Sequence, residues 1–114
     1  MAEAEPVEKS TVARRIFFDR AEFDTILALY GRGLMAGEWR DYAIGSDAST
    51  VTFAIFRRAS EQPMFRIEKQ PALQTRQGQW SVVGQSGQIL KRGRELRPVL
   101  EVLERRLIKL VARG

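Results

Sequence analysis

The sequence predicts an α+β domain: a curved antiparallel sheet of about five to six strands with two helices packed on one face, in the order β-α-β-β-β-β-β-α. Three observations carry this. Apolar residues recur at three- and four-residue spacing in two separate stretches, near residues 20–36 and 96–112. Between them, over residues 39–91, the period falls to two. The period-two segments are short and bounded by turn residues, so sequential neighbours pair in a meander. No internal repeat and no low-complexity segment is present.

The elements follow in order. Residues 1–11 (MAEAEPVEKST) hold three Glu, one Pro and almost no apolar bulk, and are expected to be a disordered acidic tail. Residues 12–114 then form a single α+β domain. Residues 12–18 are rich in β-branched and aromatic side chains and read as a first strand. Asp19 is a good N-cap, and Glu22 three residues later completes a capping box. Phe23, Ile26, Leu27, Tyr30 and Leu34 then mark a helix over residues 20–36, with Gly37 suited to the C′ position. Gly31 and Gly33 fall in its second half, where they permit close approach of another backbone or mark a frayed end.

The expected later strands are residues 39–44, 50–58, 64–69, 79–84 and 88–91, separated by breaks rich in Gly, Ser, Pro and Gln. Alternation places Val51, Phe53 and Ile55 on one face and Thr52, Ala54, Phe56 and Arg58 on the other. The last helix starts at about Arg94 or Leu96 and ends at Ala112, on Leu96, Leu100, Leu103, Leu107 and Leu110. Pro98 falls in its first turn, where a missing N–H costs little. Val99, Val102, Ile108 and Val111 widen its apolar side, enough to cover a sheet and leave a second surface for a partner chain.

Composition limits the chemistry. With 114 residues and 44% hydrophobic content, one domain with a real core is expected. Zero cysteines and zero histidines remove disulfides, thiolate nucleophiles and the commonest general base and metal ligand. No cofactor and no metal is expected. No run approaches the roughly 18 apolar residues of a membrane span, and the start Met1-Ala-Glu-Ala-Glu is acidic, unlike a secretory leader. The expected location is therefore the cytoplasm. Glu38, Asp41, Asp47, Ser46, Ser49, Tyr42 and Lys69 are the residues available for catalysis, but no spacing sets a base beside a nucleophile, so a non-enzymatic role is expected.

Charge is uneven along the chain. Residues 1–50 carry a net −3 and residues 51–114 a net +8, which points to a polyanionic partner. Of the 19 basic residues 15 are Arg, which suits bidentate phosphate contacts and stacking on bases, although a GC-rich genome enriches Arg as well. Basic and aromatic residues interleave on the expected strands. The nucleic-acid-binding set is Phe56, Phe65 and Trp80 for stacking, with Arg57, Arg58, Arg66, Arg76, Lys91, Arg92 and Arg94 for phosphates. The competing explanation is a solvated sheet face with ordinary cross-strand aromatic pairs.

Lys91-Arg92-Gly-Arg94, with Arg97 one turn on, lies at a strand-to-helix junction and suits either an anion site or a solvated basic turn. The preceding Gly84-Gln-Ser-Gly87 is not a phosphate loop, since Gln88 stands where Lys is required. Gly37 to Tyr42, with Trp39 and Arg40, would suit a pocket rim or a packing corner. The leading expectation is thus a single-stranded nucleic-acid-binding protein. The alternative is a protein-interaction module that homodimerises through the C-terminal helix.

Three stretches carry a family resemblance: Ile26-Leu-Ala-Leu-Tyr-Gly-Arg-Gly-Leu-Met-Ala-Gly-Glu-Trp-Arg-Asp-Tyr-Ala-Ile44, Phe56-Arg-Arg-Ala-Ser-Glu-Gln-Pro-Met-Phe-Arg-Ile-Glu-Lys69 and Ile89-Leu-Lys-Arg-Gly93. Together they resemble a family of small uncharacterised alphaproteobacterial proteins, classed as a domain of unknown function. The resemblance covers nearly everything after the tail. It implies a bacterial cytoplasmic origin and no particular activity. Gly33 stands where the resemblance implies a bulkier residue. A weaker analogy links the order of elements after residue 39 to single-strand-binding folds of the β-β-β-β-α type.

Overall fold

A computed structural model describes residues 15–58 and 61–113. The expected tail, residues 12–14 of the expected first strand, and Ala59 and Ser60 of the Phe-Arg-Arg-Ala-Ser-Glu motif lie outside the described residues. The elements are α1 (Arg20–Met35), β1 (Asp41–Ser46), β2 (Val51–Phe56), β3 (Phe65–Lys69), a 3₁₀ turn (Pro71–Leu73), β4 (Trp80–Gly84), β5 (Ile89–Gly93) and α2 (Leu96–Arg113). The five strands form one open antiparallel sheet in sequential order, β1-β2-β3-β4-β5. This is the α+β fold expected, with five strands between two helices.

The N-terminal segment departs from expectation. Residues 15–19 form no strand but cross the ends of the strands before α1 begins. Ile16 N–H donates to the Asp47 carbonyl at 2.9 Å, the Phe17 carbonyl accepts from Lys69 Nζ at 3.3 Å, and the Phe18 ring stacks on Trp80 at 6.1 Å. Of the two aromatic residues that suggested a strand, Phe18 closes one end of the core instead and Phe17 is exposed. Asp19 then caps α1: its carboxylate accepts from Glu22 N–H at 2.8 Å, and Glu22 accepts from Asp19 N–H at 2.9 Å. Lys69 Nζ lies 2.7 Å from the same Glu22 carboxylate, tying the capping box to β3.

The core forms where the helices cover one side of the sheet. Val51, Phe53 and Ile55 of β2, Phe65 and Ile67 of β3, and Trp80 and Val82 of β4 are all buried. Against them lie Ile26, Leu29 and Tyr30 of α1 and Val99, Leu100, Leu103 and Leu107 of α2. Trp39, just before β1, packs into the same cluster, stacked on Tyr30 at 6.3 Å and edge-on to Phe65 at 6.3 Å.

Two glycines near the end of α1 are required, Gly33 by packing and Gly37 by its backbone conformation. A Cβ at Gly33 would fall inside the Trp39 indole, so the close approach is to a side chain, not to another backbone, and there is no room for a bulkier residue. The Gly33 carbonyl also accepts from Glu38 and Trp39 N–H at 3.0 and 3.2 Å, which turns the chain out of α1. Gly37, at φ 77°, is in the left-handed region as a C′ glycine should be.

Gly33→Ala is expected to destabilise the protein by about 1–3 kcal/mol through overpacking against Trp39. Gly31→Ala, two residues earlier and facing open space, is expected to stabilise it by about 0.5–1 kcal/mol. Chemical denaturation of both variants checks the pair; equal effects would show that the indole does not sit on Gly33.

Candidate anion-binding corner

The structure divides the residues expected to hold nucleic acid. Phe65 and Trp80 are buried, 9% and 3% exposed, and face the helices. Neither presents a ring to a base, so the aromatic platform is corrected to Phe56 alone, which is half-buried on the helix-free face. Trp80 instead carries Phe18 on one side and lies 5.7 Å from Lys69 Nζ. Arg66 lies on the helix-free face, but Glu68 of the same strand holds it at 3.2 Å. Arg57 and Arg58 follow β2 and are exposed, Arg57 lying 3.4 Å from Glu38. The helix-free face therefore carries Phe56, the small residues Thr52, Ala54, Ser81 and Val83, and Arg92 opposite Ser81, around the Arg66–Glu68 pair.

The remaining four basic residues meet. Arg76, Lys91, Arg92 and Arg94 line one open concavity of about 470 Å³ at the edge of the sheet, where β5 passes into α2. Its floor is made by Gly93, Pro98 and Val99, and among the described residues Glu95 is the one acidic residue lining it. Arg97 lines a different hollow, between α1 and α2, with Asp24, Glu101 and Glu104.

The corner is built by the segment between β3 and β4. Leu73, in the 3₁₀ turn, accepts from the N–H groups of Arg76, Gln77 and Gly78 at 2.9–3.0 Å, curling the chain tightly. Gly78, at φ 95°, then lies so close to the Gly93 backbone that a Cβ would overlap it. Arg94 clamps this loop, donating from Nε to the Gln74 carbonyl at 2.9 Å and from Nη2 to the Thr75 carbonyl at 3.2 Å. Gln74 returns a bond to the Arg94 carbonyl at 3.2 Å, and Arg92 Nη1 donates to the Gly78 carbonyl at 3.3 Å. Arg92 and Arg94 are thus held by neutral carbonyls, with no carboxylate bonded to either among the described residues, while Arg76 and Lys91 are exposed. Sequence reading found Lys91, Arg92 and Arg94 together but had no means of bringing Arg76 beside them.

Most of the residues considered for catalysis have structural partners; the buried Ser46 hydroxyl has none among the described residues. Asp47 accepts from Ser49 and Thr50 N–H, both at 2.8 Å, in the β1–β2 turn; these bonds, chiefly the Ser49 one, hold its carboxyl below the usual range. Burial, with Asp41 close by, pushes the Tyr30 hydroxyl up. Glu38 and Trp39 line a small apolar hollow with Met64, Phe65, Arg106 and Leu107, but Arg40 and Tyr42 are not part of it. Among the described residues no group of His, Cys, Asp or Glu converges as a metal site, and no helix is long and apolar enough to cross a membrane.

The chain is thus a small α+β domain with a one-sided core and a basic corner at the β5 edge. Residues 16–100 match the family described as protein of unknown function (DUF2794), and the chain belongs to that family. No curated protein and no solved structure matches the chain.

Arg94→Ala is expected to cost about 1 kcal/mol of stability, because it removes charge-assisted bonds to two loop carbonyls. It should also raise amide exchange in residues 74–79 selectively. Uniform exchange across the molecule would show that the clamp does not hold the loop.

Proposed function

We propose that this protein is a non-enzymatic nucleic-acid-binding protein that holds backbone phosphates at the β5 corner. The observation that carries this reading is the convergence of Arg76, Lys91, Arg92 and Arg94 on one open concavity. Arg offers paired N–H donors that match phosphate oxygens, and an exposed Lys adds a mobile point charge. Proximity to the first turn of α2 adds backbone N–H groups of the same sign. With Phe65 and Trp80 inside the core, base stacking has little to act through, so the corner binds by charge with weak preference for single strands.

Fluorescence anisotropy of labelled single-stranded DNA, duplex DNA and RNA over a salt series tests this. Four phosphate contacts give an expected log–log salt slope of about −3 to −4 on duplex. Arg76→Ser and Lys91→Ser should each flatten the slope by about 1. Arg105→Ser, away from the corner, should leave it unchanged. Salt-insensitive binding, or none at low salt, would overturn the reading.

Homodimeric assembly through α2 is the second reading, favoured by the exposure of Ile108 (66%) and Leu110 (40%) on a helix whose Val99, Leu100, Leu103 and Leu107 are buried in the core. Ile108 borders an apolar groove with Ala36, Leu107 and Ala112. On this reading Ile108→Lys shifts sedimentation from dimer toward monomer without changing the thermal melt.

A further inference from the structure

The two edges of the sheet are built differently. β5 carries Lys91 and Arg92, and its pairing with β4 is interrupted by a register shift at Val82/Val83. Cations and bulges at an edge deter further strand pairing. β1 has neither: Asp41-Tyr-Ala-Ile-Gly-Ser46 holds no Lys, no Pro and an unbroken register with β2. Its helix-side residues Tyr42 and Ile44 are 39% and 47% exposed, because they overhang the core. Tyr42 leans on that core, stacking on Phe53 at 4.7 Å, while its outer flank is open.

The direction of the β1 backbone follows from the turn. Asp47 N–H donates to the Thr50 carbonyl at 2.9 Å, one step beyond the Ser46↔Val51 pair. In an antiparallel ladder such positions alternate, so residues 41, 43 and 45 spend their backbone groups on β2, and Tyr42, Ile44 and Ser46 point theirs outward. Two contacts agree. The Ser46 carbonyl accepts from Arg15 Nη1 at 2.9 Å, and Tyr42 N–H is held by the neighbouring Asp41 carboxylate at 2.8 Å.

We propose that β1 is a homodimer interface, in which two copies pair β1 with β1 antiparallel about a twofold axis at Ala43, joining two five-stranded sheets into one. The strand is self-complementary in this register. Tyr42 faces the partner's Ile44 and Ile44 faces the partner's Tyr42, so each of these hydrogen-bonded pairs uses the outward N–H and C=O groups of both residues. All four side chains lie on the helix side, apolar against apolar. Ala43 meets the partner's Ala43 on the other face, where a methyl group leaves room. Asp41 faces the partner's Gly45, and Arg40 at the strand's start reaches the partner's Asp47 at its end. This complementarity of fit and charge selects a second copy over an unrelated strand. The partner's Ile44 carbonyl replaces Asp41 as acceptor for Tyr42 N–H.

Sedimentation velocity of the full chain over the micromolar range is the test, with two Ile44 variants. Ile44→Pro removes an N–H that the monomer does not use, and Ile44→Lys sets a cation at the centre of the interface. Both should weaken association on the order of tenfold or more while leaving the thermal melt in place. Because the chain has no cysteine, Ala43→Cys supplies a single thiol. In the proposed register it opposes itself in a non-hydrogen-bonded pair with Cα atoms about 4.5 Å apart, close enough for a disulfide. Mild oxidation should cross-link Ala43→Cys but not the exposed Thr75→Cys. A chain that stays monomeric, a dimer indifferent to both Ile44 variants, or one abolished only by Ile108→Lys would overturn the proposal.

Discussion

The contact on which the fold turns is the Trp39 indole seated on Gly33. It does three things at once. It lets the chain leave α1 through two N–H bonds to the Gly33 carbonyl and fixes where β1 begins. It also places an aromatic plane between Tyr30 of α1 and Phe65 of β3. Through Tyr30 the plane reaches Phe53 at 5.9 Å and Tyr42 at 5.1 Å, so the first two strands and the first helix share one aromatic cluster. The other end of the core is closed by Phe18 on Trp80, with Lys69 and the capping-box Glu22 forming a largely shielded pair beside it. A 114-residue chain without disulfides has little stability to spare, and closing both ends of a one-sided sheet with aromatic stacking is how this one reaches a dry interior.

Much of this was legible in the sequence because the signals were local. The capping box, the two helical periods and the Gly37 stop all fall where expected, and the alternation of Val51, Phe53 and Ile55 gave the buried face of β2. The same alternation also applies to Phe-Arg-Ile-Glu-Lys and Trp-Ser-Val-Val-Gly: Phe65 shares a side with Ile67, and Trp80 with Val82. Treating those aromatics as a stacking surface weighed their chemistry above their parity. The crossing segment at residues 15–19 was not legible, since β-branched and aromatic composition describes a strand and an end-closing segment equally. Nor was the place of Arg76, which depends on a curled loop held by long-range bonds from Arg94, or the fit of Gly33, which depends on where a side chain six residues away folds back.

Burying one face and neutralising the other has a consequence for where function can reside. The helix-free face pairs Arg66 with Glu68 and carries Phe56 and small side chains beside them, with Arg92 at its β5 edge. What distinguishes the molecule is displaced to its two edges. At β5 the loop carbonyls that hold Arg92 and Arg94 orient these guanidinium groups without cancelling their charge, whereas a carboxylate in the same place would have done both. The cluster is therefore preorganised and, among the described residues, not paired with a carboxylate, the combination that favours an incoming anion over internal pairing.

The opposite edge extends the argument. Positive charge and a register shift at β5 disfavour a second strand on the side that carries the basic corner, and β1 lacks both deterrents. Pairing through β1 would leave both corners uncovered at the far ends of a ten-stranded sheet, on the order of 40 Å apart at about 4.8 Å per strand. A nucleic acid long enough to reach both corners would engage them with the gain in effective concentration that linked sites provide, which a single corner of four cations lacks. Under these two proposals the edges divide the labour: β1 would assemble, and the β5 corner would present the charge of the strongly basic second half of the chain.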